Sequence, residues 1–260
     1  MVAGGYSFGE DQRRESERLA AVERAFDAPS RAALCEAGVR GGWRCWEVGA
    51  GHGSIANWLG EVVGGHGRVL ATDLDDRWFA GAGAANVTFM SHDLTRDAIP
   101  SEEFDLVHAR FVLEHLADPE AAVCRLAGGV RPGGVLVLED SAGLEFEVDP
   151  ATDLFDRLAP RWERAGLSVG WSAAYGRALL GQMGAAGLID RRGLEYRRTA
   201  SGGAAWEHVA SGLERLRPEL LATGASETEV AEAIACLRDP GKQISGPPVL
   251  IASGRRDPRS

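Results

Sequence analysis

The sequence predicts an α/β protein built on a mostly parallel sheet with helices on both faces. From Trp43 onward, short apolar runs of strand length alternate with amphipathic runs of helix length. This alternation is typical of right-handed βαβ units, which place the strands side by side and the helices outside them. The chain has 260 residues, of which 45% are hydrophobic and 25% charged, so it can bury a full core as a single domain.

Strands and helices alternate clearly in the first part of the chain. Apolar residues recur at helical spacing from Ile55 to Val63, which predicts one buried stripe on a helix, and Asp118 is the expected N-cap of a later helix. The predicted helices are Ser54–Val63, Asp75–Gly83 and Asp118–Gly128. The predicted strands are Arg44–Val48, Arg68–Thr72, Val87–Ser91, Phe104–Ala109 and Val135–Glu139.

Helical segments flank this core on both sides. Leu19, Val22 and Phe26 share a helix face, and Pro29 is expected to end that helix near Ala28. Later strands are predicted at Leu188–Tyr196 and Val249–Ser253, and Ser226 with Glu229 predicts a capping box on a helix between them. We therefore expect a helical lid over residues 1–40, a ligand-binding core over 41–140, and the rest of the same domain over 141–260. Its helical insertion, about residues 197–245, is expected to cap the sheet.

The composition of the chain excludes several classes of binding partner. The formal net charge of -10 argues against a nucleic acid as the main partner. The arginine cluster at positions 191, 192, 197 and 198 is expected to be a solvated strand edge. No apolar run has membrane-spanning length, and Met1–Glu10 has no signal pattern, so a cytoplasmic protein with no membrane partner is expected. The cysteines are scattered, without the spacing of a zinc site or a disulfide framework, and no metal is expected.

A glycine-rich turn joins the first strand to the first helix. The turn Gly49–Gly53 reads G-x-G-x-G, with Ser54 where a dinucleotide fingerprint has its third glycine, and it lacks the Gly-Lys-Ser/Thr ending of a phosphate loop. Glu47, two residues before the turn, would repel a diphosphate and suits a cationic ligand. Asp73 and Asp93 end the next two strands, at the sheet edge where such folds bind ligands.

These residues resemble motif I of the class I S-adenosylmethionine-dependent methyltransferases, "EVGAGHGS" matching an acid followed by a G-x-G-x-G turn. The resemblance continues through "VLATDLD" and "SHDL". The segments "FDLVHARFVLEHLADP" and "RPGGVLVLED" are similar to the fourth and fifth strands of the ubiquinone/menaquinone-type subgroup. The resemblance covers about residues 41 to 140 and implies a Rossmann-like fold with a seven-stranded sheet. The implied cofactor is S-adenosylmethionine, which becomes S-adenosylhomocysteine after transfer.

The resemblance also implies which residues hold the cofactor. Glu47 would bind the α-ammonium, directly or through water, Asp73 the ribose hydroxyls, and Asp93 the adenine amino group. The glycines would let the backbone pass close to the methionine part, since a Cβ would collide there. The full set is Glu47, Gly49, Ala50, Gly51, Gly53, Asp73, Leu74, His92, Asp93, Leu94 and Arg110. In it, Leu74 and Leu94 would flank the adenine ring and Arg110 would meet the cofactor's carboxylate. Helix capping by Asp73 and Asp93, and simple packing at Gly53, are the alternatives.

The sequence gives fewer signals for the residues that bind the methyl acceptor. His115 is the candidate general base, with an architectural role as the alternative. Tyr6 and Tyr175 are candidates to line the acceptor pocket beside it, and Trp162, Trp171 and Trp206 are candidates for an apolar cap, or else they pack. We expect a small, partly apolar acceptor, methylated on a hydroxyl oxygen, with carbon or nitrogen as the next choices.

Other functions stay open. A nicotinamide-dependent oxidoreductase is one, and a cofactor-bound protein that promotes a non-methylating reaction is another. The composition, rich in Ala, Gly and Arg, is typical of a bacterium with a GC-rich genome, and the cap region resembles small-molecule methyltransferases of secondary metabolism. A homodimer is possible.

Overall fold

A computed structural model describes residues 12–79, 83–99 and 103–259. Five strands form the parallel part of one sheet, in the order β3-β2-β1-β4-β5. Their bounds are β1 Arg44–Val48, β2 Arg68–Asp73, β3 Val87–Ser91, β4 Phe104–Arg110 and β5 Val130–Ser141. Three further strands are β6 Glu147–Asp149, β7 Leu188–Ser201 and β8 Gln243–Arg256.

The remaining strands are antiparallel. β8 pairs with β5 along one edge and with β7 along the other. Val249 shows this directly, since it pairs with Ser141 of β5 and with Tyr196 of β7. The short β6 pairs with the first residues of β8, beyond the end of β5. The predicted α/β fold with a mostly parallel seven-stranded sheet is confirmed, and β6 makes an additional eighth strand.

Helices cover both faces of the sheet. They are α1 Gln12–Ala37, α2 Ser54–Val63, α3 Pro119–Gly129, α4 Leu154–Ser168, α5 Leu179–Ala185, α6 Glu207–Arg215, α7 Arg217–Ala222 and α8 Glu227–Arg238. One core cluster joins α1 and α2 to the face that carries Cys45 and Leu106. A second joins α3 and α5 to the face that carries Trp46 and Val107. None of the helices in the described ranges could cross a membrane.

The predicted caps and most predicted bounds agree with the structure. The Asp118 carboxylate accepts from the Ala121 N–H, and Ser226 and Glu229 form the reciprocal capping box. The helix predicted at Asp75–Gly83 is different, since the structure shows a 3₁₀ turn over Asp76–Phe79 and residues 80–82 lie outside the described ranges. β7 and β8 are both longer than predicted, because their mutual pairing continues to Ser201 and Gln243.

Helix α1 continues through Pro29, so the prediction that Pro29 ends it is wrong. Proline has no N–H, which leaves the carbonyl of Ala25 without its intrahelical donor. Arg198 on β7 supplies the missing donor, with Nη1 3.0 Å from that carbonyl oxygen. Arg198 was expected to be solvated, and it instead stabilises the helix at its weakest point.

This contact predicts that substitutions at positions 29 and 198 are not additive in their effect on the free energy of unfolding. Arg198→Met removes the donor and should lower the free energy of unfolding by about 1–2 kcal/mol. In a Pro29→Ala background the backbone N–H returns, so the same substitution should cost less. Urea denaturation of the four proteins measures the coupling, with the exposed Arg192→Met as the control. An equal cost in both backgrounds would show that Arg198 does not compensate for the proline.

Candidate active site

The glycine turn is tied to the end of the neighbouring strand. The N–H groups of Gly49 and Ala50 donate to the Thr72 carbonyl at 2.8 and 3.0 Å. Gly49 has a φ of 69°, and a Cβ there would lie 2.3 Å from Cγ2 of Val112. The turn therefore needs glycine at position 49, both for its backbone conformation and for the space that Val112 occupies.

Asp73 closes the turn from β2. Its Oδ2 accepts from the N–H of Gly51 at 2.9 Å, and its Oδ1 accepts from the N–H of Asp75 at 3.2 Å. Burial raises the pKa of Asp73, although these backbone donors act in the opposite direction. The structure thus brings Gly51 and Asp73 together at the predicted edge. A carboxylate that accepts one bond per oxygen still has lone pairs left, and its contact with a ribose stays a prediction.

Asp93 organises its own loop. Its Oδ1 accepts from the N–H and the hydroxyl of Thr95, at 2.8 and 2.6 Å. The hydroxyl bond is the main reason why the pKa of Asp93 is lowered. No helix directly follows Asp93 in the described residues, so the carboxylate holds a turn instead of capping a helix, and a contact with adenine would have to share it with that turn.

The hydrophobic residues beside these acids differ in exposure. Leu74 is 56% exposed, which leaves an apolar surface open next to Asp73. Leu94 is only 5% exposed and packs in the core cluster with Trp46, and its contact with the adenine ring stays a prediction. His92 also packs against Trp46, ring edge to ring face, and its cofactor role stays a prediction.

Gly53 serves packing at the start of α2. A Cβ there would lie 2.8 Å from the Phe89 ring, and its φ is 84°. Ser54, where a dinucleotide fold has its third glycine, donates its hydroxyl to Asp27 of α1 at 3.0 Å. The end of the turn therefore fastens α1 to α2.

Helix α1 lies across the turn. The Leu19 side chain lies 3.3 Å from where a Gly51 Cβ would be, and the Ser16 hydroxyl is 3.1 Å from Nε2 of His52. Phe26 packs edge to face on Phe111, whose φ of 55° is in the left-handed region directly after β4. These contacts hold α1 over the glycine turn, and its role as a lid stays a prediction.

Glu47 is buried, and a histidine binds it. It is 4% exposed, and its Oε2 lies 2.6 Å from Nδ1 of His108 on β4. The opposite ring nitrogen lies 3.0 Å from Oε1 of Glu139 on β5. Burial by itself lowers the pKa of His108, but the two carboxylates outweigh it and raise the pKa to about 9. Sequence reasoning missed His108, although a histidine inside the apolar run "FDLVHARF" is a signal for a buried polar partner.

Arg110 contacts the lid. Its guanidinium donates to the Ser30 hydroxyl at 2.9 Å and to the Asp27 carboxylate at 3.1 Å, both on α1. The predicted contact with a cofactor carboxylate stays a prediction, and it would have to add to these two bonds or exchange with them.

His115 lies in a short 3₁₀ turn after β4, beside Glu114. Burial, with the positive charges of Arg18 and Arg215, lowers the pKa of His115 to about 3. The imidazole is therefore neutral at pH 7, where it is available as a proton acceptor but only weakly basic.

Two buried carboxyl groups lie behind His115. Glu114 accepts from the Trp171 indole N–H at 2.9 Å and from the Ser141 N–H at 2.8 Å. Asp140 accepts from the Glu114 N–H at 3.2 Å. Burial and the proximity of Glu114 raise the pKa of Asp140 well above its ordinary value. The arrangement fixes the backbone at His115 to the ends of β4 and β5.

The other acceptor candidates fare differently. Tyr175 is buried in the core cluster with Leu179, and its hydroxyl binds Gln182, so its place in an acceptor pocket stays a prediction. Tyr6 lies outside the described residues. Trp162 and Trp206 are also buried, in a separate cap core around Phe146. No group of metal ligands occurs within the described ranges.

Residues 46–138 match the family model described as a methyltransferase domain. Over 127 residues the chain is 30% identical to the ubiquinone/menaquinone biosynthesis C-methyltransferase UbiE of Pseudomonas putida. Over the same length it is 25% identical to UbiE of Saccharophagus degradans. These alignments cover 45% of this chain and 50 or 51% of the relatives, so the chain spans about half the length of the curated relatives it matches.

Solved structures share the fold. The YcgJ protein of Bacillus subtilis aligns over 94% of this chain and 99% of its own, with a TM-score of 0.58 and 15% identity. Phosphoethanolamine N-methyltransferase 2 of Haemonchus contortus aligns over 99% of this chain and 61% of its own, with a TM-score of 0.61 and 15% identity. That protein was solved with S-adenosylhomocysteine.

The strand order and the acid-preceded glycine turn, with the family match, define a class I methyltransferase fold. The chain is similar to the class I S-adenosylmethionine-dependent methyltransferases, and the similarity to the methyltransferase-domain model covers residues 46–138. S-adenosylmethionine is the cofactor of that class.

The lowered pKa of His115 predicts a pH-dependent stability. At pH 7.5 the imidazole is neutral in both the folded and the unfolded chain. At pH 5.0 it takes up a proton only in the unfolded chain, since its pKa is about 3 when folded against an ordinary value of 6.5. This one group should therefore make the protein about 2 kcal/mol less stable at pH 5.0 than at pH 7.5.

Urea denaturation of His115→Gln at both pH values isolates that contribution. The difference between the two pH values should shrink by about 2 kcal/mol in the variant. The exposed His66→Gln is the control. An undiminished difference in His115→Gln would mean that the imidazole titrates normally in the folded protein.

Proposed function

We propose that this protein transfers the methyl group of S-adenosylmethionine to a small-molecule acceptor, most favourably to a hydroxyl oxygen. The observation that carries the proposal is the sheet edge where Asp73 binds the N–H of Gly51 and the buried Glu47 precedes the turn. The cofactor supplies an activated methyl group. The protein then has to hold the acceptor, exclude water and accept any proton that the acceptor releases.

The residues of the edge fit a sulfonium cofactor. Glu47 has one oxygen on His108, and no hydrogen bond to its other oxygen, Oε1, occurs among the described residues. That oxygen would accept from the α-ammonium. Asp73 would accept from the ribose hydroxyls, and the exposed Leu74 would cover one face of the adenine.

The same edge does not suit a diphosphate. Glu47, Asp73 and Asp93 supply carboxylates near the turn, and a diphosphate would meet them without compensation. Ser54 replaces the third glycine of a dinucleotide fingerprint, and its hydroxyl binds α1. Both observations favour the sulfonium cofactor over a nicotinamide dinucleotide.

On the acceptor side, His115 is the group we propose to take a proton. Its pKa of about 3 makes it a weak base that is always in its neutral form at pH 7. Such a base suits an acceptor with an already acidic hydroxyl, such as a phenol, better than an aliphatic alcohol. Natural-product biosynthesis in the cytoplasm, with no nucleic-acid or membrane partner, belongs to the same proposal.

Carbon is the second candidate for the acceptor atom. The UbiE relatives are named C-methyltransferases, and their similarity covers the cofactor-binding half of this chain. An activated phenol ring offers both an oxygen and ring carbons as nucleophiles. Product analysis with a methyl-labelled cofactor separates the two atoms, and a reaction without label transfer would favour a non-methylating role.

The cofactor assignment is tested by calorimetric titration with S-adenosylhomocysteine and with NADH. We expect binding of the first and none of the second. Asp73→Ala should weaken S-adenosylhomocysteine binding by about 1.5–3 kcal/mol, because charge-assisted hydrogen bonds are lost. Asp75→Ala, whose carboxylate pairs with Arg77 on the same loop, is the matched control. Unchanged affinity in Asp73→Ala would refute the ribose assignment, and tight NADH binding alone would overturn the function.

The role of His115 is tested by turnover. His115→Ala should slow kcat by ~100-fold, the contribution expected of a positioned base. The wild-type profile of kcat should show no limb from His115 between pH 5 and 8, because its pKa is about 3. A loss of only a few fold in the variant would leave His115 a purely structural residue.

A further inference from the structure

His108 occupies the centre of the sheet. It is fully buried on β4, opposite Glu47 of β1 in the parallel register, and Glu139 of β5 lies on its other side. Its two ring nitrogens lie 2.6 and 3.0 Å from one carboxylate oxygen of each. An imidazole that donates to two ionised carboxylates needs a proton on both nitrogens.

The three groups therefore carry one negative charge in excess. Burying such a charge is costly unless a positive group compensates it. Arg110 reaches Glu139 through the Ser30 hydroxyl, and its guanidinium is already paired with Asp27. A cationic ligand group beside Glu47 would balance the cluster, and the unbonded Oε1 of Glu47 is the atom that remains to receive it.

The cluster also reaches the lid helix. The second oxygen of Glu139 lies 2.8 Å from the Ser30 hydroxyl of α1. That hydroxyl accepts from Arg110 at 2.9 Å, and Arg110 donates to Asp27, which holds the Ser54 hydroxyl at the start of α2. The chain of contacts runs from Glu47 through two strands to α1 and back to the glycine turn.

Resting on the proposed cofactor function, we propose that His108 is a positioning residue for the cofactor's ammonium group. It holds Oε2 of Glu47 and so fixes the direction in which Oε1 faces. A carboxylate held at one oxygen cannot rotate away from the glycine turn. No further side-chain entropy is therefore lost in aligning Glu47 when a ligand binds. The imidazole contacts Glu47 and Glu139, and Glu139 connects it through Ser30 to Arg110 and Asp27.

The test compares two ligands that differ in the amino-acid part. S-adenosylhomocysteine carries the ammonium, and 5′-methylthioadenosine has the adenosine and the thioether without it. Because His108→Phe alone would leave two facing carboxylates in the core, Glu139→Gln is the background, and His108→Phe is added to it. Calorimetry then gives the affinity ratio of the two ligands in both proteins and in the wild type.

We expect the added His108→Phe to weaken S-adenosylhomocysteine about 10- to 100-fold, the range for a lost charged hydrogen bond, and 5′-methylthioadenosine by less than about 3-fold. Equal weakening of both ligands would make His108 merely structural and overturn the inference, with the proposed function intact. No change in either ligand would also overturn it. If the wild type binds neither ligand, the cofactor assignment fails and the inference fails with it.

Discussion

The structure depends on one buried electrostatic contact, the imidazole of His108 between the carboxylates of Glu47 and Glu139. It joins three neighbouring strands at the point where the sheet meets the glycine turn. Three ionisable groups in a protein core are unfavourable separately, and they become acceptable only when strand register brings all of them into contact. The register that pairs Glu47 with His108, and Arg110 with Glu139, satisfies that condition. The contacts of the three ionisable side chains and the register of the strands that carry them therefore depend on each other.

Helix α1 extends this constraint to the outside of the sheet. Asp27 and Ser30 bind the ends of β4 and β5, and Leu19 covers Gly51. Arg198 supplies the hydrogen-bond donor that Pro29 lacks and so supports the helix in this position. Helix α1 therefore contacts both the glycine turn and the buried cluster.

The sequence predicted the parallel core well because apolar periodicity and glycine turns are local signals. Strands β1 and β3 and helix α2 have their predicted bounds, and Asp73 reaches Gly51 as expected. The errors concern distant contacts. The donor that compensates for Pro29 comes from Arg198, on a strand far along the chain. His108 escaped notice because its partners are Glu47 and Glu139, both remote in sequence.

For the residues near the proposed acceptor, the sequence contains few local signals, and the structure gives most of the information. His115 is held by a backbone that Asp140 and Glu114 anchor, and its neutral ring follows from burial and nearby arginines. A crystal structure of the complex with S-adenosylhomocysteine tests the central claim most directly. We expect the ligand's ammonium on Oε1 of Glu47 while His108 keeps Oε2. An ammonium bound away from Glu47, or a glutamate released from His108, would contradict it.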